Sequence, residues 1–330
     1  MPGLTAEALR LAVATATDDQ PVLIDDFLYE KDVLMIAGDP GVGKSVVLTQ
    51  LALHLTGATS AYGFLPIPVP KRVYYLQLEG KPEQAYERIR RMAGVVSWEP
   101  TRLLWDARKG LNVLDLRQVQ GVLTDIASWG GVDVVIIDPI YKVVFGPLGK
   151  EEPTQALIRF SDLLQTHFGC AVILSHHTHR PGYGSDGKKI EEEDPFYGSQ
   201  WLKAHVDSSY HLKHPGGKYK DRVTLYNKKT RGNDVIRELL LHYDPETDTL
   251  STDAPIDKQS AYERAVKFLA ECRQTGRQTD AYEMQEVLMT SMRHVMRIQQ
   301  QLLEKGHVRC DKLNGKKRIW EPIAFPLTHL

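Results

Sequence analysis

The sequence predicts an α/β protein built on a mostly parallel sheet, and three apolar runs carry that expectation. Val33–Ala37, Val132–Ile137 and Cys170–Leu174 are short, nearly continuous and rich in branched side chains, as strands covered on both faces are. Segments of helical periodicity separate them, which is the alternation that parallel crossovers need. At 330 residues, with 42% hydrophobic and 25% charged side chains, the chain can bury a substantial core and more than one domain. A formal net charge of -1 excludes a wholly basic nucleic-acid coat, so charge has to be read regionally. Cys170, Cys272 and Cys310 are odd in number and widely separated, which suggests neither a disulfide framework nor a zinc knuckle. With no apolar stretch of membrane-spanning length and no basic-then-apolar leader, the expectation is a cytoplasmic, reduced protein with no membrane partner.

Residues 1–20 are expected to form a short docking helix or loose arm, and Pro21–Leu28 to lead into the first core strand near a nucleotide base. The strand Val33–Ala37 runs into Gly38-Asp39-Pro40-Gly41-Val42-Gly43-Lys44-Ser45 and then a helix from Val46. Strand, glycine-rich turn and helix make a phosphate-binding loop, with backbone N–H groups and the helix N-terminus turned on the phosphates. Lys44 can reach the β- and γ-phosphates and Ser45 can offer its hydroxyl to Mg²⁺. Lys71–Leu78 reads as the next strand, and Glu79 at its C-terminal end faces the ligand crevice. A carboxylate there can orient and deprotonate a water; an exposed glutamate at a helix start is the alternative. In the helix after Pro82, Arg88 and Arg91 share a face and can stack on adenine or hold phosphate, or form a solvated basic face.

Thr101–Trp105 is expected as a short strand and Leu116–Trp129 as an amphipathic helix. The strand Val132–Ile137 then ends in Asp138, a residue suited to holding the magnesium shell directly or through water. A mobile segment from Tyr141 to Glu152 and a helix over Thr154–Phe168 lead to the strand Cys170–Ser175 and the run His176-His177-Thr178-His179. No cysteine lies at ligand spacing there, so one of His176 and His177 is expected to hydrogen-bond a γ-phosphate oxygen rather than to hold zinc. The glycine-rich loop Arg180–Gly198 includes the acidic run 191–194, which opposes a simple basic platform. A short helix to Val206 and the strands Ser208–Lys213, Asp221–Lys228 and Val235–Tyr243 follow. A cationic turn, Lys228-Lys229-Thr230-Arg231-Gly232, is either solvated or a finger offered to a neighbouring subunit.

In this order the motifs resemble the RecA-like P-loop ATPases, in particular the hexameric replicative helicases of the RepA and DnaB kinds, over roughly residues 22–245. Gly38–Ser45 resembles the Walker A motif, Tyr74–Gly80 the strand carrying the catalytic glutamate, Val134–Pro139 Walker B, and Val172–His177 the phosphate-sensing strand. Lys229 and Arg231 stand at the spacing of the family's paired fingers. The resemblance implies ATP and Mg²⁺ as cofactors, with ATP held by Gly38–Val46 and Mg²⁺ by Ser45 and Asp138. It implies Lys44, Glu79, Asp138, His176 or His177, Lys229 and Arg231 as catalytic groups. It also implies a hexameric ring of identical subunits, with single-stranded DNA in a central channel gripped by the loops after Asp138 and His177. In this sequence the phosphate loop begins too early for the extra N-terminal helical domain of the DnaB kind.

Residues 246–260 read as a linker, and 261–330 as a separate small domain. Helices are expected over Ala261–Arg273, from Thr279 or Asp280 to Leu288, and over Met292–Lys305, followed by a β-ribbon turning at Asn314-Gly315. Three helices and a basic hairpin resemble a winged helix-turn-helix. Positive residues outnumber acidic ones by 13 to 8 across 258–330. Arg293 and Arg297, with Lys316, Lys317 and Arg318 in the hairpin, can meet the phosphates of duplex DNA, though such a domain can equally dock a protein.

Overall fold

The computed structural model describes residues 5, 10, 21–143, 151–178, 200–214, 221–231, 236–252, 261–288, 295, 298–299, 302–303, 306, 308–313 and 317–322. The expected N-terminal arm, apart from Thr5 and Arg10, lies outside the described residues. So do the whole glycine-rich loop Arg180–Gly198 with its acidic run, and Arg293, Arg297 and Lys316.

In chain order the strands are β1 (Val22–Ile24), β2 (Leu28–Tyr29), β3 (Val33–Gly38), β4 (Ser60–Ala61), β5 (Leu65–Pro66), β6 (Val73–Gln77), β7 (Leu103–Ala107) and β8 (Val134–Asp138). They continue as β9 (Ala171–His177), β10 (Ser208–Lys213), β11 (Arg222–Lys229), β12 (Glu238–Asp244) and β13 (Thr249–Ser251). The helices among them are α1 (Lys44–Gly57), α2 (Pro82–Met92), α3 (Leu116–Ser128), α4 (Glu151–Phe168) and α5 (Gln200–His205). Nine strands form one sheet in the order β13-β12-β11-β10-β3-β9-β8-β6-β7. From β10 to β7 every pairing is parallel, and β10 to β13 is an antiparallel meander. The phosphate-loop strand β3 therefore sits inside the sheet, and β9 separates it from β8 and its terminal Asp138.

The apolar alternation of the strands divides the core in two. Leu34, Ile36, Tyr75, Ile136, Ile173 and Tyr210 point to one face and pack against Val47, Leu48 and Leu51 of α1. Met35, Leu76, Val135, Ile137, Val172 and Leu174 point to the other, under Val122 and Ile126 of α3 and Leu157, Phe160 and Leu164 of α4. At roughly 1.5–3 kcal/mol for each fully buried aliphatic or aromatic side chain, these layers are the main attraction holding the crevice in shape.

Helix α1 is buried on nearly every side, polar residues included. Its Gln50 amide both donates to the Leu250 carbonyl at 2.7 Å and accepts from the Leu250 N–H at 2.6 Å. It thus acts as a strand partner for the edge strand β13. The sheet consequently runs through Ser251, and part of the stretch expected as linker is an edge strand. Two other expectations shift for local reasons. Pro100 opens a 3-10 turn capped by the Glu99 carboxylate, so β7 starts at Leu103 rather than Thr101. Glu151 and Glu152 favour a helix N-terminus, so α4 begins there rather than at Thr154.

Beyond residue 260, helices α6 (Ala261–Gln274) and α7 (Ala281–Leu288) join strands β14 (Thr279–Asp280), β15 (Val308–Leu313) and β16 (Lys317–Pro322). The strands pair in the order β14-β16-β15. Ala265, Leu269, Met284, Leu288, Val295, Ile298, Leu302 and Val308 bury one another in a core of their own.

Candidate nucleotide site

The phosphate loop takes its shape from its glycines. Gly41 and Gly43 have φ of 79° and 98°, left-handed conformations costly for a residue with a Cβ. A Cβ on Gly38 would lie 2.7 Å from the Leu212 carbonyl oxygen, so β10 can flank the loop only where that side chain is missing. Helix α1 starts at Lys44 with no side-chain cap from Gly43 and no acidic residue in its first turn. The Val46 and Val47 N–H groups both turn to the Gly43 carbonyl at 3.0 Å, and the first amides, those of Lys44 and Ser45, with the helix dipole suit an anionic ligand such as a triphosphate.

Lys44 is buried at 5% exposure. Its ammonium donates to the carbonyls of Gly38 at 2.7 Å and Asp39 at 2.9 Å, and to Nδ1 of His177 at 3.2 Å. Burial lowers its pKa to about 8 against the opposing pull of Asp138, Asp39 and Glu79. Because an ammonium only donates, Nδ1 of His177 is the acceptor, and a neutral ring carries its proton on Nε2. That nitrogen lies 3.6 Å from Oε2 of Glu79. Burial and then the Lys44 charge lower the His177 pKa, against Glu79. His177 therefore bridges the lysine and the glutamate as a neutral ring at neutral pH.

The sheet register decides between the two histidines. His177 pairs with Gly38, whereas His176 pairs with Ala37. Alternation puts His177 on the α1 face with the loop and His176 on the opposite face, buried at 5% exposure. Asp138 is likewise buried, at 6%, and accepts a hydrogen bond at 2.8 Å from the Tyr75 hydroxyl. Glu79 stands just past β6 on a turn allowed by Gly80 at φ 80°, and its carboxylate is half-exposed. Burial and then Glu79 push the Tyr141 hydroxyl pKa up, and its ring lies 5.2 Å from that of His177. The Thr178 hydroxyl bonds to the Asp39 carboxylate.

A cavity of about 220 Å³ adjoins the loop, lined by Ser45, Thr49, Tyr75, Glu79, Trp105 and Asp138, with Arg88 on its α2 side. The structure thus brings Lys44, Ser45, Glu79, Asp138 and His177 together at one sheet end. Residues 7–182 match the AAA domain family, more than half of the chain. The chain belongs to that family.

Membership of the AAA domain family points to ATP as the nucleotide. Among solved structures, the "ATPase Domain of G40P" superposes with a TM-score of 0.54 at 14% identity, covering 77% of this chain and 100% of that one. "The Structure Of A DnaB-Like Replicative Helicase And Its Interactions With Primase" superposes with a TM-score of 0.52 at 13% identity, covering 76% and 68%. At those identities the likeness is one of fold: the large, mostly parallel sheet resembles a RecA-like P-loop core. No curated protein sequence matches the chain. No helix among the described residues is long and apolar enough to cross a membrane.

Of the other predicted residues, Arg88 lines the cavity, and Arg91, Lys229 and Arg231 do not. Arg88 and Arg91 both pair with the buried carboxylate of Asp248, at 3.2 and 3.0 Å, and so tie α2 to the β12–β13 turn. Lys229 donates to the carbonyls of Lys203, Ala204 and Val206, and Arg231 to that of Ala204, at the C-terminal end of α5. Tyr75, Trp105, Tyr141 and Thr178 escaped the sequence reading. Tyr75 faces Asp138 only through the register of β6 on β8, which no local pattern reveals.

Proposed function

We propose that this chain is an ATP-hydrolysing motor that translocates on single-stranded DNA, a replicative helicase of the RepA-like kind working as a hexameric ring. One observation carries the reading: Lys44, His177 and Glu79 form a continuous polar chain across the mouth of the phosphate loop. In it Lys44 leaves the loop carbonyls for the β- and γ-phosphates while the amides of Gly41–Ser45 hold the phosphate oxygens. Freed of Lys44, Nδ1 of His177 takes a proton and turns to the γ-phosphate, so the pairing with Glu79 changes with nucleotide state. Glu79 orients and deprotonates the attacking water.

The Ser45 hydroxyl and the Asp138 carboxylate line the same cavity and are oxygen donors of the hard type Mg²⁺ selects. Bound there, Mg²⁺ would neutralise charge on the phosphates. Lys229 and Arg231 serve the neighbouring subunit's site, and the loops after Asp138 and His177 face DNA. The domain reading is an ATPase unit over 21–245, extended to the edge strand β13, followed by a linker and a winged-helix-like unit over 261–330 that meets duplex DNA or a partner protein.

The test is steady-state ATP hydrolysis at low salt without DNA, with single-stranded DNA and with duplex. Single-stranded DNA is expected to stimulate the rate several-fold, and Glu79→Gln to lower kcat by on the order of 10³ with nucleotide binding retained. A rate indifferent to every DNA would remove the motor and leave the second reading, an ATP-switched DNA-binding or regulatory ATPase. That reading is favoured by the separate apolar core of the C-terminal unit.

A further inference from the structure

Beside the loop lies a second layer of polar contacts that no motif accounts for. Tyr75 is buried at 1% exposure and stacks on Trp105 with ring centroids 4.0 Å apart and planes 11° from parallel. Its hydroxyl donates to Oδ2 of Asp138 at 2.8 Å, and Thr49 of α1 lines the same cavity. The Trp105 indole N–H donates to the Gln77 side-chain oxygen at 2.9 Å, and the Gln77 amide donates to the Glu79 carbonyl at 3.0 Å. One connected set of side chains therefore runs from Asp138 through Tyr75, Trp105 and Gln77 to the turn bearing Glu79.

We infer that Tyr75 is a positioning residue for Asp138, clamped by Trp105, and that it sets the affinity of the site for its divalent cation. The inference rests on the ATPase reading above. A buried hydroxyl is costly unless bonded, so its place against Asp138 is strongly determined. With Oδ2 engaged, the Asp138 carboxylate is restrained about χ2 and would have Oδ1 to offer a bound cation. Phenylalanine would fill the same space and stack equally on Trp105, but would leave the carboxylate free to turn. The tie from Trp105 through Gln77 to the Glu79 backbone makes the same aromatic pair a brace for the catalytic turn.

The test uses the full chain and Tyr75→Phe, with ADP and Mn²⁺ as the probe. ADP affinity is measured calorimetrically without metal, and bound Mn²⁺ is counted by electron paramagnetic resonance in the presence of ADP. Tyr75→Phe is expected to bind metal-free ADP within twofold of the unaltered chain and Mn²⁺ about five- to tenfold more weakly. Under turnover the Mg²⁺ concentration giving half-maximal rate should rise by a similar factor while the KM for ATP holds. Trp105→Leu, which removes the stack that clamps Tyr75 and leaves its hydroxyl, should shift Mn²⁺ the same way by a smaller factor and stands in if Tyr75→Phe does not fold. Unchanged Mn²⁺ affinity, or equal loss of ADP and Mn²⁺ binding, would overturn the assignment of Tyr75 alone. An unaltered chain that binds no nucleotide would overturn the ATPase reading, and the assignment with it.

Discussion

The phosphate loop and the turn bearing Lys229 and Arg231 are both cationic sites, and they are built in opposite ways. Around the loop the backbone makes the site: two left-handed glycines, an uncapped helix start and a lysine buried against its own carbonyls. On the turn the side chains make the contacts, and they are spent on the carbonyls at the end of α5. Those carbonyls are the negative end of a short helix, and a lysine and an arginine nearby satisfy them at little cost. Charge at the loop is held in place by folding, whereas charge at the turn rests on a partner it can exchange.

The largest effect that would sharpen this contrast is on hydrolysis. If the turn completes a neighbour's site, Arg231→Ala lowers kcat by about 10³. Arg231 is 55% exposed, so the melting temperature should barely move. Mixing Arg231→Ala chains with Glu79→Gln chains then restores part of the rate, because some interfaces join an intact glutamate to an intact arginine. A mixture as inactive as its parents, with normal oligomers, would leave Arg231 as a helix cap within its own chain.

The same contrast explains what was legible in the sequence. The loop and the helix start at Lys44 are local patterns that Gly38–Ser45 spells in consecutive residues, and Asp138 and the pair His176-His177 each follow a readable apolar run. The choice of His177 over His176 was not local, since it depends on which residue of β9 lies beside Gly38. Tyr75 and Trp105 read as ordinary strand aromatics because their partners lie in other strands. Arg88 and Arg91 showed a shared helical face, but the buried Asp248 that answers them is more than 150 residues further on. The edge strand β13 was hidden by turn-forming residues, and it is held by an amide from α1. Chemistry written in one segment was readable, and chemistry made by register or by long-range pairing was not.

A smaller effect concerns the scaffold beneath the loop. His54 of α1 is buried, accepts from the Tyr62 N–H at 3.2 Å, and has its pKa pushed down by burial to about 4. His211, pushed down by burial and then by Lys213 and Lys228 to about 3, acts in the same direction. The unfolded chain takes up a proton at each ring below its ordinary value near 6.5, while the folded chain resists. The stability from His54 is therefore complete above pH 6.5 and is lost as the pH falls toward 4. The slope is on the order of 1.4 kcal/mol per pH unit for one proton, or about 3 kcal/mol over the window. His54→Gln keeps an acceptor for Tyr62 and cannot titrate. Urea midpoints between pH 7.5 and 4.5 should therefore fall less steeply in this variant, by about one proton's worth.

The smallest expected effect separates the two roles open to Arg88 and Arg91. Asp248 is 3% exposed, accepts from both arginines and from the Tyr243 hydroxyl at 2.9 Å, and has φ of 58°. Asparagine tolerates that left-handed backbone and can still accept from Tyr243, so Asp248→Asn removes the charge alone. The arginine side chains are 28% and 37% exposed. Solvent therefore screens much of the attraction, and the loss of stability should be about 1–2 kcal/mol rather than that of a fully buried pair. If both arginines serve to pin α2 against the β12–β13 turn, the melting temperature falls and the KM for ATP stays within twofold. If either also holds nucleotide, releasing it from Asp248 changes the KM as well, and the wall of the cleft would then share the exchangeable character of the Lys229–Arg231 turn. The arginines already have a buried partner that answers both of them, so the expected result is the first.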